Sequence, residues 1–487
     1  MRAEWTKLRT VPAWALALPA AAVIIVLFGL FPGMQGSCGK PGSATECKPT
    51  TGPDGVEVRD SFAFAYRTLD GDGSITVRVA ALTGELTDGP GLVPWAKAGL
   101  MVKDTTEPGS SYAAVMVTGA RGVRMQHDFV HDKAGRKTPL AWLRLTRAGG
   151  TIMGEESADG TQWTVVNRVQ LPDLGRSVVA GLFVTSPQHA EEDSNTFGVK
   201  GARGGPSQAT AEFADLAVTG AWQGTQWTKQ HIGGPGNGPG QGDPAGGQPG
   251  SQELTLTGSG DIAPAVTGAA GVGTSITTTL IGTFAGLIVV VVVGVLFASG
   301  EYRRGLIRTT LAAQPRRGRV LAAKAAVAGA AGFVAGLVAG AIVVYAGREV
   351  LQSNGVFIPA VPVATELRLI AGTGAMLGLT AVLGLALGML LRRSATAITA
   401  AVVAVILPYL LAMTVLPTAA ADWALRVTPA AAFAIQQSAV EYAQVANVYT
   451  PVDGYMPLSP WAGLAVLVAW TAVALSGAYY RLVRADA

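Results

Sequence analysis

A polytopic α-helical membrane protein with six transmembrane helices, interrupted by an extracellular all-β sandwich between helices one and two, is the fold class that three features predict. Hydrophobic residues make up 49% of the chain and charged residues only 14%, a balance rare in soluble chains of this length. The apolar residues gather in six windows free of Asp, Glu, Lys and Arg: residues 10–39, 262–300, 325–347, 369–391, 394–421 and 454–480. Each is long enough for the ~20 residues that cross a ~30 Å hydrocarbon core. Between the first and second windows the texture changes to short alternating runs, the period-two signature of strands.

Residues 1–35 are a cytoplasmic lead (Arg2, Trp5, Lys7, Arg9) and the first helix. A basic start before an apolar run also fits a cleaved signal peptide. The run is longer than a usual signal core, however, and Phe31-Pro32-Gly33-Met34 stands where a small-residue cleavage site would be. An uncleaved helix is therefore expected. Cys38 and Cys47, the only cysteines, follow just outside it. On the oxidising side of a membrane their spacing suggests a disulfide loop over residues 36–55. The competing metal pair lacks neighbouring Cys or His ligands.

Residues 56–232 carry runs such as 61–67 (SFAFAYR), 74–82 (SITVRVAAL), 112–118 (YAAVMVT) and 141–146 (AWLRLT). Gly, Asp and Pro break them about every ten residues, the mark of an antiparallel β-sandwich. Asp159-Gly160 signals a tight hairpin. Asp70-Gly71-Asp72-Gly73 lacks the distal ligands of a calcium loop and reads as a hairpin turn. His127, Asp128, His131 and Asp132 are close in sequence, but alternation along a strand keeps them on different faces. A solvated strand end followed by a loop at 133–137 is expected there, without a metal site. No pair of carboxylates facing one cleft can be named for a glycan hydrolase.

Residues 233–253 are rich in Gly and Pro and form a flexible linker. Residues 254–487 are the membrane domain, with helices at about 276–299, 325–346, 369–391, 396–416 and 459–480. Gly329, Gly332, Gly336 and Gly340, then Gly372, Gly374, Gly378, Gly384 and Gly388, recur at intervals that let helices pack closely in lipid. No span carries a mid-helix charge, which argues against a proton- or sodium-coupled carrier. Residues 423–447 are amphipathic and too short in apolar length to cross, so they lie on or dip into the outer leaflet.

Charge sets the orientation. With both termini inside, the cytoplasmic segments hold 14 Lys and Arg against only Glu4, Glu301 and Asp486, whereas the short outer loops are balanced or acidic. These basic residues hug membrane boundaries, which excludes a nucleic-acid partner. The densest cluster, residues 301–319, holds six arginines against one glutamate between two spans. Arg316, Arg317 and Arg319 suit membrane anchoring. Leu306, Ile307 and Leu311 interleaved with charge suggest an amphipathic helix, and Arg is a favoured interface residue.

Two resemblances extend this reading. Residues 73–79 (GSITVRV), 98–103 (AGLMVK), 142–147 (WLRLTR) and 157–163 (SADGTQW) resemble the lectin-like jelly rolls of the concanavalin/laminin-G type over about 170 residues. That likeness implies a domain able to bind envelope glycan or glycolipid. Glu301, Tyr302, Gly305, Ile307, Arg308, Thr310, Leu311, Ala312, Pro315, Arg316, Arg317, Ala323 and Lys324 resemble the cytoplasmic loop of bacterial ABC transporter permeases of the type 2 export family. The six-span layout and residues 428–433 before the last span agree.

The second resemblance implies a permease subunit of the bacterial plasma membrane without a cofactor or catalysis of its own. Glu301, Tyr302, Arg303, Arg304, Leu306, Ile307, Arg308, Leu311, Arg316 and Arg317 would form a coupling helix docked on an ABC ATPase. No G-x-x-x-x-G-K-[ST] occurs in the chain, so that ATPase must be a separate polypeptide. A homodimer, or a pair with a second permease, is implied within the bilayer. The large β-domain between spans one and two departs from the family pattern, so the resemblance leaves the substrate unnamed. A membrane-anchored glycan sensor or adhesin without transport is the rival reading.

Overall fold

The structure, a computed structural model, describes residues 2–31, 50–137, 141–194, 200–233, 254–268, 273–303, 309–310, 312, 314, 316–356 and 358–485. A short helix, α1 (Arg2–Thr10), leads into α2 (Pro12–Leu30). After the β-domain come α3 (Thr283–Arg303), α4 (Arg317–Ser353), α5 (Val363–Leu391), α6 (Ser394–Val405), α7 (Leu407–Thr414), α8 (Thr418–Val427) and α9 (Pro460–Ala485). Among the described residues five helices, α2 to α5 and α9, are long and apolar enough to cross a membrane. The bent pair α6–α7 makes a sixth if counted as one span.

Three details differ from the sequence expectation. The helix expected over 396–416 breaks by 42° between Val405 and Leu407, because Pro408 has no N–H for the preceding turn and its ring crowds that turn's carbonyl. The helix expected over 325–346 runs from Arg317 to Ser353. At 1.5 Å per residue it is ~55 Å long and must emerge from a ~30 Å core. Of the segment expected on or in the outer leaflet, α8 is amphipathic, but Pro429–Gln436 is a 3-10 turn buried throughout between α5 and α9. Its small side chains let it enter the bundle.

Glycine governs the crossing of α4 and α5. On Gly378 of α5 an added Cβ would stand 2.8 Å from the Gly329 carbonyl oxygen of α4, and on Gly336 it would stand 2.9 Å from the Gly374 Cα. Neither contact tolerates a side chain.

The β-domain begins with β1 (Thr50–Thr51), β2 (Glu57–Asp60), β3 (Phe62–Leu86), β4 (Gly89–Pro90), β5 (Lys97–Lys103), β6 (Tyr112–Thr118), β7 (Val123–His127) and β8 (His131–Ala134). It continues with β9 (Trp142–Ala148), β10 (Thr151–Ser157), β11 (Thr164–Gln170), β12 (Ser177–Thr185), β13 (His189–Ser194) and β14 (Lys200–Gly205). The last strands are β15 (Ser207–Trp222), β16 (Thr228–Ile232), β17 (Leu254–Gly258) and β18 (Ile262–Pro264). All pairings are antiparallel, and the main sheet runs β11-β10-β9-β3-β12-β5-β6-β7-β8, with β15 branching from β3 and β17 pairing with β15.

Asp70-Gly71-Asp72-Gly73 is a bend inside the 25-residue β3 and not a hairpin. Gly71, at φ +83°, turns the strand so that residues 63–70 pair with β12 and residues 73–78 with β9. The sheet thereby folds into two layers around a core that includes Leu100, Val115, Leu143, Leu145, Leu182 and Phe213. The Asp159-Gly160 turn is present, but it joins β10 to β11 through six residues. Asp159 accepts the N–H groups of Thr161 and Gln162.

The boundary at 253/254 falls inside this domain. β17 bonds to β15, and β18 bonds to β2. Alternation explains what β2 and β18 do. Phe62, Phe64, Met101, Tyr112, Met116 and Phe183 project from the layer face opposite the main core, and Val58, Phe129 and Ile262 cover them. Two buried ion pairs fasten this cover: Lys97 to Asp261 and Lys103 to Asp60, both at 2.8 Å. Burial pushes Asp60's carboxyl up and Lys103's ammonium down despite their pairing.

The solvated strand end expected at 127–137 is a β7–β8 hairpin. Asp128 and Phe129 take positive φ, and Phe129 is fully buried against Tyr112. The turn stacks His127 on His131 at 4.3 Å, while Asp132 bonds Arg124 and Gln126. Among the described residues no group of His, Cys, Asp and Glu could hold a metal. Cys38 and Cys47, and the linker at 234–253, lie outside the described residues.

Candidate functional site

The Arg-rich end of the bundle is held by a charge cluster that joins three helices. Lys324, on α4 and 1% exposed, donates to Glu4 of α1 at 2.8 Å and to Glu301 of α3 at 2.7 Å. Lys7 of α1 adds hydrogen bonds to the same two carboxylates at 3.0 and 2.8 Å. The Lys324 ammonium also lies 4.7 Å from the Phe297 ring, and Trp14 meets that ring edge-on at 5.3 Å. Burial would push Glu4's carboxyl up, but Lys324 and Lys7 outweigh it and hold the carboxyl below its ordinary value.

Neighbouring arginines tie in the remaining helices. Arg317 at the start of α4 donates to the carbonyls of Leu482 and Val483 on α9, both at 2.9 Å. Arg392, in the left-handed region just after α5, stacks its guanidinium over Tyr302 at 5.1 Å. Arg481 of α9 donates to the Leu390 carbonyl. Free C-terminal carbonyls attract cations, which is why these arginines sit at helix ends. A cavity of about 540 Å³ opens between the α1–α2 bend and the segment after α3, lined by Lys7, Trp14, Glu301, Thr309 and Thr310 among others.

The structure thus separates the predicted site residues. Glu301 faces inward as a brace and is 7% exposed, whereas Tyr302 is half-buried beneath the Arg392 guanidinium. Arg316 is exposed, and Arg317 is committed to α9. The backbone of Arg303 closes α3, and Arg304, Leu306, Ile307, Arg308 and Leu311 lie outside the described residues. Sequence reasoning missed Glu4, Lys7 and Lys324 as partners. The available signal was a lysine one residue before an apolar window, facing a lone glutamate on each of two other helix ends.

At the opposite end the β-domain meets the bundle. Thr267 Oγ1 has no hydrogen-bond partner, whereas the Thr267 carbonyl accepts from Asn447 at 2.9 Å and from Tyr455 at 3.0 Å. Gln444 donates to the Val130 carbonyl at 2.9 Å, and the Ala360 N–H donates to Glu57 at 3.1 Å. Beneath this junction Gln436 Nε2 bridges Thr283 of α3 and Thr373 of α5 at 3.0 and 2.9 Å. Phe284, Tyr409 and Phe433 cluster beside it with centroids 4.5–4.8 Å apart.

Apolar crossing helices, a polar seam reaching from the junction and a charge-locked end together define a multi-pass membrane protein. The chain belongs to the ABC-2 family transporter proteins, whose family model matches residues 96–487. Membership makes it a transport membrane subunit. No curated protein matches the chain. Among solved structures it is similar to a functionally unknown protein from Saccharomyces cerevisiae at 17% identity, covering 36% of this chain and 86% of that one with a TM-score of 0.23. It is also similar to SCP-B, a member of the Eqolisin family of peptidases in a complex with the tripeptide Ala-Ile-His, at 13% identity, 42% and 98% coverage and a TM-score of 0.23. At that score neither likeness fixes the fold or the chemistry.

Proposed function

We propose that this chain is the permease subunit of an ATP-binding-cassette exporter of the bacterial plasma membrane, driven by an ATPase on a separate chain. Both termini are cytoplasmic, the β-domain is extracellular, and the subunit works as a homodimer or with a second permease. The observation that supports this most is the bracing of the arginine-rich segment. Residues on either side of it are locked to α1, α3 and α4 through Glu4, Lys7, Glu301 and Lys324, and to α9 through Arg317. A push on Arg303, Arg304, Leu306, Ile307, Arg308 and Leu311 would therefore move several helices together, as coupling requires.

The β-domain reads as a lectin-like jelly roll. Because one layer face is covered by β2 and β18, an envelope glycan or glycolipid would have to use the outer face of the other layer. There Arg144 stacks on Trp163 at 3.8 Å and Arg78 on Trp142 at 6.0 Å.

The test is co-purification from the native membrane in mild detergent, with Arg303, Arg304 and Arg308 reversed to Glu. Wild type should bring down a nucleotide-hydrolysing partner that the triple variant loses while keeping its own fold. A wild type that captures no ATPase favours the anchored sensor and ends the exporter reading.

A further inference from the structure

We infer that the groove between α2 and α4 is a binding site for one diacyl phospholipid from the leaflet at the Arg-rich end, with Arg9 holding its phosphate. The two helices touch at the β-domain end, where an added Cβ on Gly29 would lie 2.9 Å from Val343. Towards the other end they part, and the facing residues are too small to fill the gap. Ala15, Ala22, Ala331 and Ala335 are among those lining a cavity of about 770 Å³. A dry wedge of that size is stable in a bilayer only if hydrocarbon fills it, since empty space forfeits dispersion contacts.

Shape and charge select the occupant. Along α2 the lining runs from Ala15 to Leu27, a rise of ~18 Å at 1.5 Å per residue. One leaflet of a ~30 Å core is ~15 Å deep, so the groove accepts chains from a single leaflet. The length matches the acyl chains of one leaflet, and the charge at the mouth points to the same occupant.

Among the described residues the only charged one lining the groove is Arg9, at its mouth beside Trp5. Arg9 is exposed and has no hydrogen bond or ion pair among the described residues, whereas Lys7 on the same helix is spent on Glu4 and Glu301. Trp5 and Arg9 are four apart on α1 and share one side of it. An indole and a free guanidinium at headgroup depth suit a phosphodiester.

The experiment uses the full chain, delipidated in detergent and then offered dioleoyl phosphatidylglycerol or dioleoylglycerol, with retention read by native mass spectrometry. Wild type should retain one phosphatidylglycerol and hold dioleoylglycerol at least tenfold more weakly. Val334→Trp, at an exposed position on the groove wall, should cut retention of both at least tenfold. Arg9→Gln should remove only the preference for the phospholipid. A wild type that retains neither lipid, unchanged retention in Val334→Trp, or a preference that survives Arg9→Gln would each overturn the site. So would cross-linking of a cysteine at 334 to a second copy. If Val334→Trp misfolds, Ala331→Leu makes the same test about one turn nearer the Arg-rich end of the wall. The result stands apart from the ATPase reading, since lipid retention needs no partner chain.

Discussion

Replacing Lys324 by Met should weaken the whole Arg-rich end. The ammonium is 1% exposed, and the two carboxylates it satisfies have side chains only 8% exposed. Removing one partner of a buried ion pair typically costs 3–5 kcal/mol, because the remaining charge keeps its desolvation penalty. Lys7 still reaches both carboxylates from a side chain that is 39% exposed, and solvent screening discounts its contribution. The expected loss is therefore about 3 kcal/mol, at the lower end of that range. Lys7→Met should cost under about 1 kcal/mol. Denaturant unfolding in lipid nanodiscs reads both variants, with thiol labelling at position 10 reporting release of α1. The triple change Glu4→Gln, Glu301→Gln, Lys324→Met should recover most of the loss, since it leaves no buried charge unpaired and Lys7, 39% exposed, still reaches water. A Lys324→Met variant no less stable than Lys7→Met would refute the reasoning, as would a triple variant weaker than the single.

Glu4 gives the same end a pH dependence. Its folded carboxyl lies below the ordinary 4.5, so its stabilising contribution is complete above that value and is lost as pH falls through the folded one. The α1 label should stay protected from pH 8 down to about 4.5 and be released below it, and Glu4→Gln should abolish that step. Gly378→Val should cost about 1–3 kcal/mol by overpacking, because its side chain would strike the Gly329 carbonyl oxygen; an unchanged melting temperature would show that α4 and α5 are farther apart. In the β-domain Lys103→Met should destabilise by about 3–5 kcal/mol, and adding Asp60→Asn should restore part of it, read by tryptophan fluorescence during unfolding.

The sequence by itself determined the elements that depend on local composition. Charge-free apolar windows mark the crossing helices because a bilayer admits no alternative partner for backbone groups. Alternating runs mark the strands, and glycine intervals mark the close crossing of α4 and α5. Only the tertiary structure decided how pieces distant in the chain were used. Gly71 could have reversed β3 or bent it, and the choice came from which strands were there to pair with each half. Lys97 and Lys103 look like solvated strand residues until β2 and β18, one of them more than 150 residues away, close over them; Asp60 ends β2 and Asp261 stands just before β18. Likewise Glu301 and Lys324 share an arginine-rich stretch that suggests a surface. Folding turns both inward, because α1 brings Glu4 and Lys7 to the same point and a charge leaving water needs a partner within hydrogen-bond reach.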